Sequence, residues 1–240
     1  MEIQSSNLHF KELNDTIKSS SDKIINIKDC IGQRYIGSGL SNKDITIEGV
    51  PGNALGSYLN GSNIIVKANV QDAVGNTMNA GNIFVHGSSG DATGYAMRGG
   101  KIYVKGNAGY RAGIHMKAYK DKLPVLVIGG AAGSFLGEYQ SGGLIIVLGL
   151  GATNDPPVGF FCSTGMHGGK IYLRCNNLPI DLPSHVLGKT ADESDMNDIS
   201  EYISEFCDEF GLSKEEILSH NFYVLTPNLE NQYNQLYINN

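Results

Sequence analysis

The chain of 240 residues contains no tryptophan, seven prolines and four cysteines. Cys30, Cys162, Cys175 and Cys207 stand far apart, and no two form a CxxC pair. That spacing argues against a disulfide framework and against a cysteine-held iron–sulfur cluster, and it fits a reducing compartment such as the cytoplasm. Basic residues are in deficit, 18 against 24 acids, and form no run, so nucleic acid and anionic membranes are poor partners. No apolar stretch reaches membrane-spanning length; the nearest is Leu144 to Leu150. The opening MEIQSSNLHFKELND is polar and lacks the apolar segment of a secretory signal. Nucleophile elbows of the GxSxG type, HExxH and a strand-linked GxGxxG are all missing. Gly188-Lys189-Thr190 looks like the end of a phosphate-binding loop, but Pro183 stands where the first glycine belongs.

What the chain has in abundance is glycine, 31 residues, and a repeat. Gly99-Gly100-Lys101-Ile102-Tyr103-Val104-Lys105-Gly106 has an earlier counterpart in Asn82 to Gly87 and a later one in Gly168 to Leu173. Aligning on the first aliphatic residue gives the column Ile25, Ile45, Ile64, Ile83, Ile102, Val125, Ile145 and Ile171. Two residues on runs Ile27, Ile47, Val66, Val85, Val104, Val127, Val147 and Leu173. Residues at i and i+2 share one face of a strand, and β-branched side chains suit a buried pleated surface. A period of about 20 residues with one strand per unit predicts a solenoid of parallel strands, because no unit can bury its apolar face alone. The expected fold is all-β: a single-stranded right-handed parallel β-helix of about 7–8 coils with short helical appendages at both ends. Its expected divisions are an N-terminal cap (1–22), the coils (23–176) and a linker with an acidic helical extension (177–240).

Glycines recur between the strands. Gly56, Gly75, Gly94 and Gly113 lie 11 residues after their column, and Gly137 lies 12 after one; these are assigned as structural corners. Gly52, Gly90, Gly109 and Gly133 form a second set four residues earlier. Leu59, Met78, Met97, Met116 and Met166 make a ladder that keeps the coil period, as interior packing does and a soft-metal site need not.

Two coils are enlarged, around Ala118 to Lys122 and within Gly151 to Val158. Such insertions become loops on one face, and Glu138, Asp155 and His167 are the polar candidates if the chain is a stand-alone enzyme or small-molecule binder that uses an inserted loop. Position 26 and its equivalents, between the two interior columns, read Asn26, Thr46, Ile65, Phe84, Tyr103, Leu126, Ile146 and Tyr172. With no carboxylate among them, this face lacks the acid pair that a carbohydrate-cleaving enzyme needs. Its apolar stretch instead predicts a covered surface. Phe84, Tyr103, Leu126, Ile146 and Tyr172 are the candidate interface, to be covered by a partner, by a second copy, or by the amphipathic helix expected over about 195–210 with Ile199, Tyr202, Ile203, Phe206 and Phe210.

The recurring Gly-x-x-Gly-x-x-Met/Leu-x-Gly-Gly-x-Ile-x-Val pattern resembles the GXGXG domain, the C-terminal β-helix of the glutamate synthase large subunit, here in stand-alone form. Gly52-Asn53-Ala54-Leu55-Gly56, Gly106 to Gly113 and Glu138 to Gly143 carry the likeness, and the tail from Leu225 through Tyr237 is similar to the end of the stand-alone version. The C subunit of formylmethanofuran dehydrogenase shares the coil motif. The resemblance to glutamate synthase implies a non-catalytic scaffold in glutamate biosynthesis and nitrogen metabolism, part of a cytoplasmic oxidoreductase complex. Its implied partners are a glutamine amidotransferase and a flavoprotein, and FMN and an iron–sulfur cluster would reside in those subunits. For this chain it implies no catalytic, cofactor-binding or metal residues, and it leaves homo-oligomerisation open. The chain opens on Met1-Glu2 and not on the cysteine of an N-terminal-nucleophile amidotransferase.

Overall fold

A computed structural model describes residues 1–228. The chain runs β1 (Glu2–Gln4), α1 (Phe10–Ser19), β2 (Ile24–Ile31), β3 (Asp44–Val50), β4 (Asn60–Val66), β5 (Ala80–Val85), β6 (Lys101–Val104), β7 (Val125–Ile128), β8 (Ser141–Val147) and β9 (Gly168–Arg174). It continues through β10 (Val186–Thr190), α2 (Glu193–Phe210), α3 (Lys214–Leu218) and β11 (Phe222–Pro227). Among the described residues one 11-stranded sheet holds every strand, in the order β1 to β9, then β11, then β10. β1 to β9 pair in parallel with their sequence neighbours, whereas β11 is antiparallel to both β9 and β10. The fold is therefore a mixed α/β solenoid built on an open sheet, which corrects the all-β expectation. Neither β1 nor β10 was foreseen; each is short and carries little apolar alternation.

The interior file is set by register. Ile25, Ile45, Ile64, Ile83 and Ile102 pair in succession, and all are buried. Ile102 then pairs with Leu126, not Val125, and Leu126 with Ile145. Leu126 and Ile128 thus belong to the interior cluster, and Val125 and Val127 face outward. The sequence reading is off by one residue here because Val125-Leu126-Val127-Ile128 is apolar throughout. It has no polar residue to set the phase, and the preceding insertion breaks the count. The methionine ladder lies inside as packing, with Gln140 in the position five residues before Ile145. Gln140 is fully buried, and its Nε2 donates to the carbonyls of Gly142 and Gly143.

Opposite the strands, each coil makes a turn with alternating positive φ, as at Ala73 (59°), Gly75 (65°) and Thr77 (53°). Alternation points successive amides in opposite directions along the stack. Ala73 N–H donates to Asp91 O in the next coil, Gly75 N–H to Leu55 O in the previous one, and Thr77 N–H to Tyr95 O in the next. The turn is thereby a second hydrogen-bonded ladder, which satisfies backbone groups that would otherwise be orphaned. Glycine is required at the middle position for space more than for φ, since alanine holds positive φ two residues earlier. A Cβ on Gly75 would stand 2.3 Å from Cδ1 of Ile102, and one on Gly56, Gly113 or Gly137 would meet Ile83, Ile145 or Ile171 at 2.5, 2.3 and 2.6 Å. In the last coil Ser163 takes this position at φ 64°, where no further isoleucine file follows.

The ends of the stack are closed differently. Leu13 and Ile17 of α1 are fully buried against the first coil, and Asn14 Nδ2 donates to Arg34 O at 3.0 Å. At the far end β11 and β10 complete the sheet, and α2 crosses its outer face. No helix among the described residues is long and apolar enough to cross a membrane.

Candidate functional site

The outward apolar stripe is the first candidate, and α2 covers it from Tyr103 onward, with Phe84 at the edge and Ile65 outside the contact. Asp192 caps α2 and forms a reciprocal capping box with Asp195, while Gly211 ends it in the left-handed conformation. Ile199, Ile203, Phe206, Cys207 and Phe210 pack on Tyr103, Val125, Val127, Ile146 and Tyr172. Tyr103, Ile146 and Tyr172 are therefore buried within the chain, and Leu126 faces the solenoid interior for the register reason above. Phe84, half-buried, stacks on Tyr103 with ring centroids 4.9 Å apart.

Acids of α2 fasten the edges of this contact. Glu205 accepts from Lys101 at 2.5 Å and from the Tyr103 hydroxyl. Asp198 accepts from Lys170 at 2.6 Å and from the Tyr172 hydroxyl at 3.2 Å. Asp195 lies 2.7 Å from Lys189 and 3.3 Å from Lys170, and Glu209 lies 2.8 Å from His86. Burial, and then Glu205, push the Tyr103 hydroxyl far above the usual phenol range. Burial would raise Asp195, but the Lys189 ammonium, the Asp192 N–H and Lys170 outweigh it and hold the carboxyl below its usual value. These groups dock α2 on the sheet.

The loop candidates do not converge. Glu138 pairs with Arg111 at 3.1 Å. Asp155 accepts from Asn176 N–H at 3.0 Å and from Asn177 Nδ2 at 3.2 Å. His167 Nδ1 lies 3.0 Å from Gly165 O. Asp155 does line a cleft of about 150 Å³ with Arg174, Asn176 and His220. Arg174 is partly spent: Nε donates to Ile217 O and Nη1 to Leu148 O, tying α3 to the sheet. Among the described residues no group of three His, Cys, Asp or Glu is placed to hold a metal ion.

A surface that sequence reasoning missed lies on the turns. In the later coils Arg111, Phe135 and Phe161, two before the column position, and His115 and Tyr139, two after it, point outward and stack from coil to coil. His115 stacks on Tyr139 at 5.2 Å with Tyr95 edge-on at 5.9 Å, and Phe135 stacks on Phe161 at 5.1 Å under the Arg111 guanidinium. Tyr139, Phe161 and Phe160 are 46, 52 and 71% exposed. The only signal in the sequence is the run of large side chains at these positions in the last coils, Arg111, Phe135 and Phe161, and His115 and Tyr139.

The GXGXG-motif family matches residues 12–229. The chain belongs to this family. An uncharacterised protein of Methanocaldococcus jannaschii is 44% identical to this GXGXG protein over 253 residues, spanning 98% of this chain and 95% of the relative. Among solved structures the fold matches a chain in the formyltransferase/hydrolase complex (FhcABCD) from Methylorubrum extorquens in complex with methylofuran. The TM-score is 0.62 at 19% identity, over 83% of this chain and 71% of that one. At that identity the likeness is one of fold. It overturns the glutamate synthase expectation: the matched assembly is a formyltransferase/hydrolase complex. The glutamine amidotransferase and flavoprotein partners, and the roles in glutamate biosynthesis and an oxidoreductase complex, fall with it. The motif shared by the two families could not separate them, because the glycine columns record coil packing and not partner chemistry. The tail through Tyr237 lies partly outside the described residues.

Proposed function

We propose that this GXGXG protein is a scaffold subunit of a multi-subunit complex, similar to the C subunit of formylmethanofuran dehydrogenase. In this reading it is a right-handed parallel β-helix of about 7–8 coils, with 1–22 as cap, 23–176 as coils and 177–240 as linker and acidic helical extension. It takes no cofactor itself. The observation that carries the reading is the fold match over 83% of the chain to a component of a formyltransferase/hydrolase assembly. Two features support it. Four acids of α2, Asp195, Asp198, Glu205 and Glu209, are engaged in holding the chain together, and the polar loop residues Glu138, Asp155 and His167 each make a local contact.

The test is purification of the tagged full chain from its native cells at low salt. Other subunits should co-elute at a fixed ratio, and the chain freed of them should show no formyl transfer or hydrolysis. Elution of the chain alone, or turnover by the isolated chain, overturns the reading.

A further inference from the structure

Charge is unevenly distributed along the solenoid. Residues 92–123 carry seven Lys and Arg against one Asp, in a chain whose net charge is −6. Lys101 is engaged by Glu205 and Arg111 by Glu138. Among the described residues the other five form no ion pair: Lys105, which follows β6, and Arg98, Lys117, Lys120 and Lys122. Arg98 and Lys117 occupy equivalent positions in consecutive coils, donating to Met78 O and Met97 O respectively. The inserted loop folds back over this place: a Cβ on Gly99 would stand 2.9 Å from Cβ of Lys122. Lys120 is carried in the tight Tyr119–Lys122 turn of that loop, its ammonium 5.3 Å from the Tyr119 ring centre, so the four cations gather at one corner, next along the chain to Tyr95 and His115 of the exposed ladder that Tyr139 continues.

We propose that this basic, aromatic corner is the docking surface for an acidic face of a partner protein subunit. The inference rests on the scaffold reading above and names where on the scaffold a partner sits. Exposed aromatic side chains rimmed by cations have the composition of an interface centre, and their charge fixes the sign of what they meet. A polypeptide fits better than a nucleic acid. The ring faces of His115 and Tyr139 are already stacked on each other, so they offer edges and not open faces for bases. The four cations at the corner are few for tracking a phosphate backbone. A second copy fits less well, because four of the seven acids of α2 are held within the chain by Lys101, Lys170, Lys189 and His86, leaving three, Glu193, Glu201 and Asp208, on its exposed side.

The test uses the complex isolated through a tagged full chain from native cells, treated with a zero-length carbodiimide that joins lysines to carboxylates, then mapped by mass spectrometry. Cross-links from Lys117, Lys120 or Lys122 to Asp or Glu of a different subunit are expected. The triple variant Lys117→Glu, Lys120→Glu, Lys122→Glu should recover that subunit at least ten-fold less well, with circular dichroism and melting unchanged. Asp208→Lys, on the exposed back of α2, should leave recovery intact. Full recovery with the triple variant overturns this inference while leaving the scaffold reading in place. So do cross-links to a second copy alone, or nuclease-sensitive nucleic acid at this corner. Elution of wild-type chain with no partner removes both.

Discussion

Replacing Gly75 by alanine adds one methyl group, and the structure states where it would go. The Cβ would lie 2.3 Å from Ile102 Cδ1, 3.4 Å from Ile102 Cγ1 and 3.7 Å from Ile83 Cδ1. Positive φ costs a non-glycine residue about 1–2 kcal/mol, and overpacking a filled interior about 1–3 kcal/mol more, so Gly75→Ala should destabilise by about 2–5 kcal/mol. Alanine at Ala73 already holds φ 59° in the same turn, so the steric part should dominate. Ile102→Val removes the offending Cδ1 and leaves the 3.4 Å contact, which is ordinary. Alone it should cost about 0.5–1.5 kcal/mol. In the double variant the clash is gone, so the two losses should fall short of additive by about 1–3 kcal/mol. Guanidinium unfolding followed by circular dichroism, comparing midpoints at matched slopes, measures all four corners of the cycle. Strict additivity would refute the argument that the glycine column exists to admit the isoleucine of the following coil.

Phe206→Ala should cost about 3–5 kcal/mol of stability and raise binding of a hydrophobic dye, since Phe206 is fully buried over the stripe; an unchanged melting curve and dye signal would show that α2 is not held there. The depressed carboxyl of Asp195 stabilises the fold above its ordinary value of 3.8, and that contribution is lost as pH falls through the lower folded value. Melting temperature should therefore drop in this acid window, and Asp195→Asn should flatten the drop. Burial pushes the Cys162 thiol up to about 12, so a thiol reagent at pH 8 should modify Cys162 only after unfolding, as a peptide map before and after denaturant would show.

Most of the solenoid was legible because its repeat is a packing rule written in residue types. β-Branched residues at i and i+2 and glycine at a fixed offset force parallel strands and tight turns wherever they recur. The helix over α2 was legible too, from an apolar stripe ended by Gly211, and the expectation that it would cover the outward stripe follows from six coils of apolar residues that water would not tolerate bare. The reading failed where local pattern carried no phase. At Val125 to Ile128 every residue is apolar, and only the register against β6 and β8 decides that Leu126 goes in and Val127 out. Ser163 in the glycine column was equally unreadable, since its permission comes from the absence of a following coil.

The sequence by itself determined the period, the interior residues of most coils and the amphipathic helix, since these depend on spacing and side-chain type along the chain. Tertiary structure alone decided the return of β11 beside β9, the pairing of Glu205 and Asp198 with lysines and tyrosines about 30 to 100 residues away, and the gathering of Arg98, Lys117 and Lys122 at one corner. Those contacts join residues from different coils, and their partners are fixed by how the coils stack and where an inserted loop folds back, quantities that no local pattern encodes.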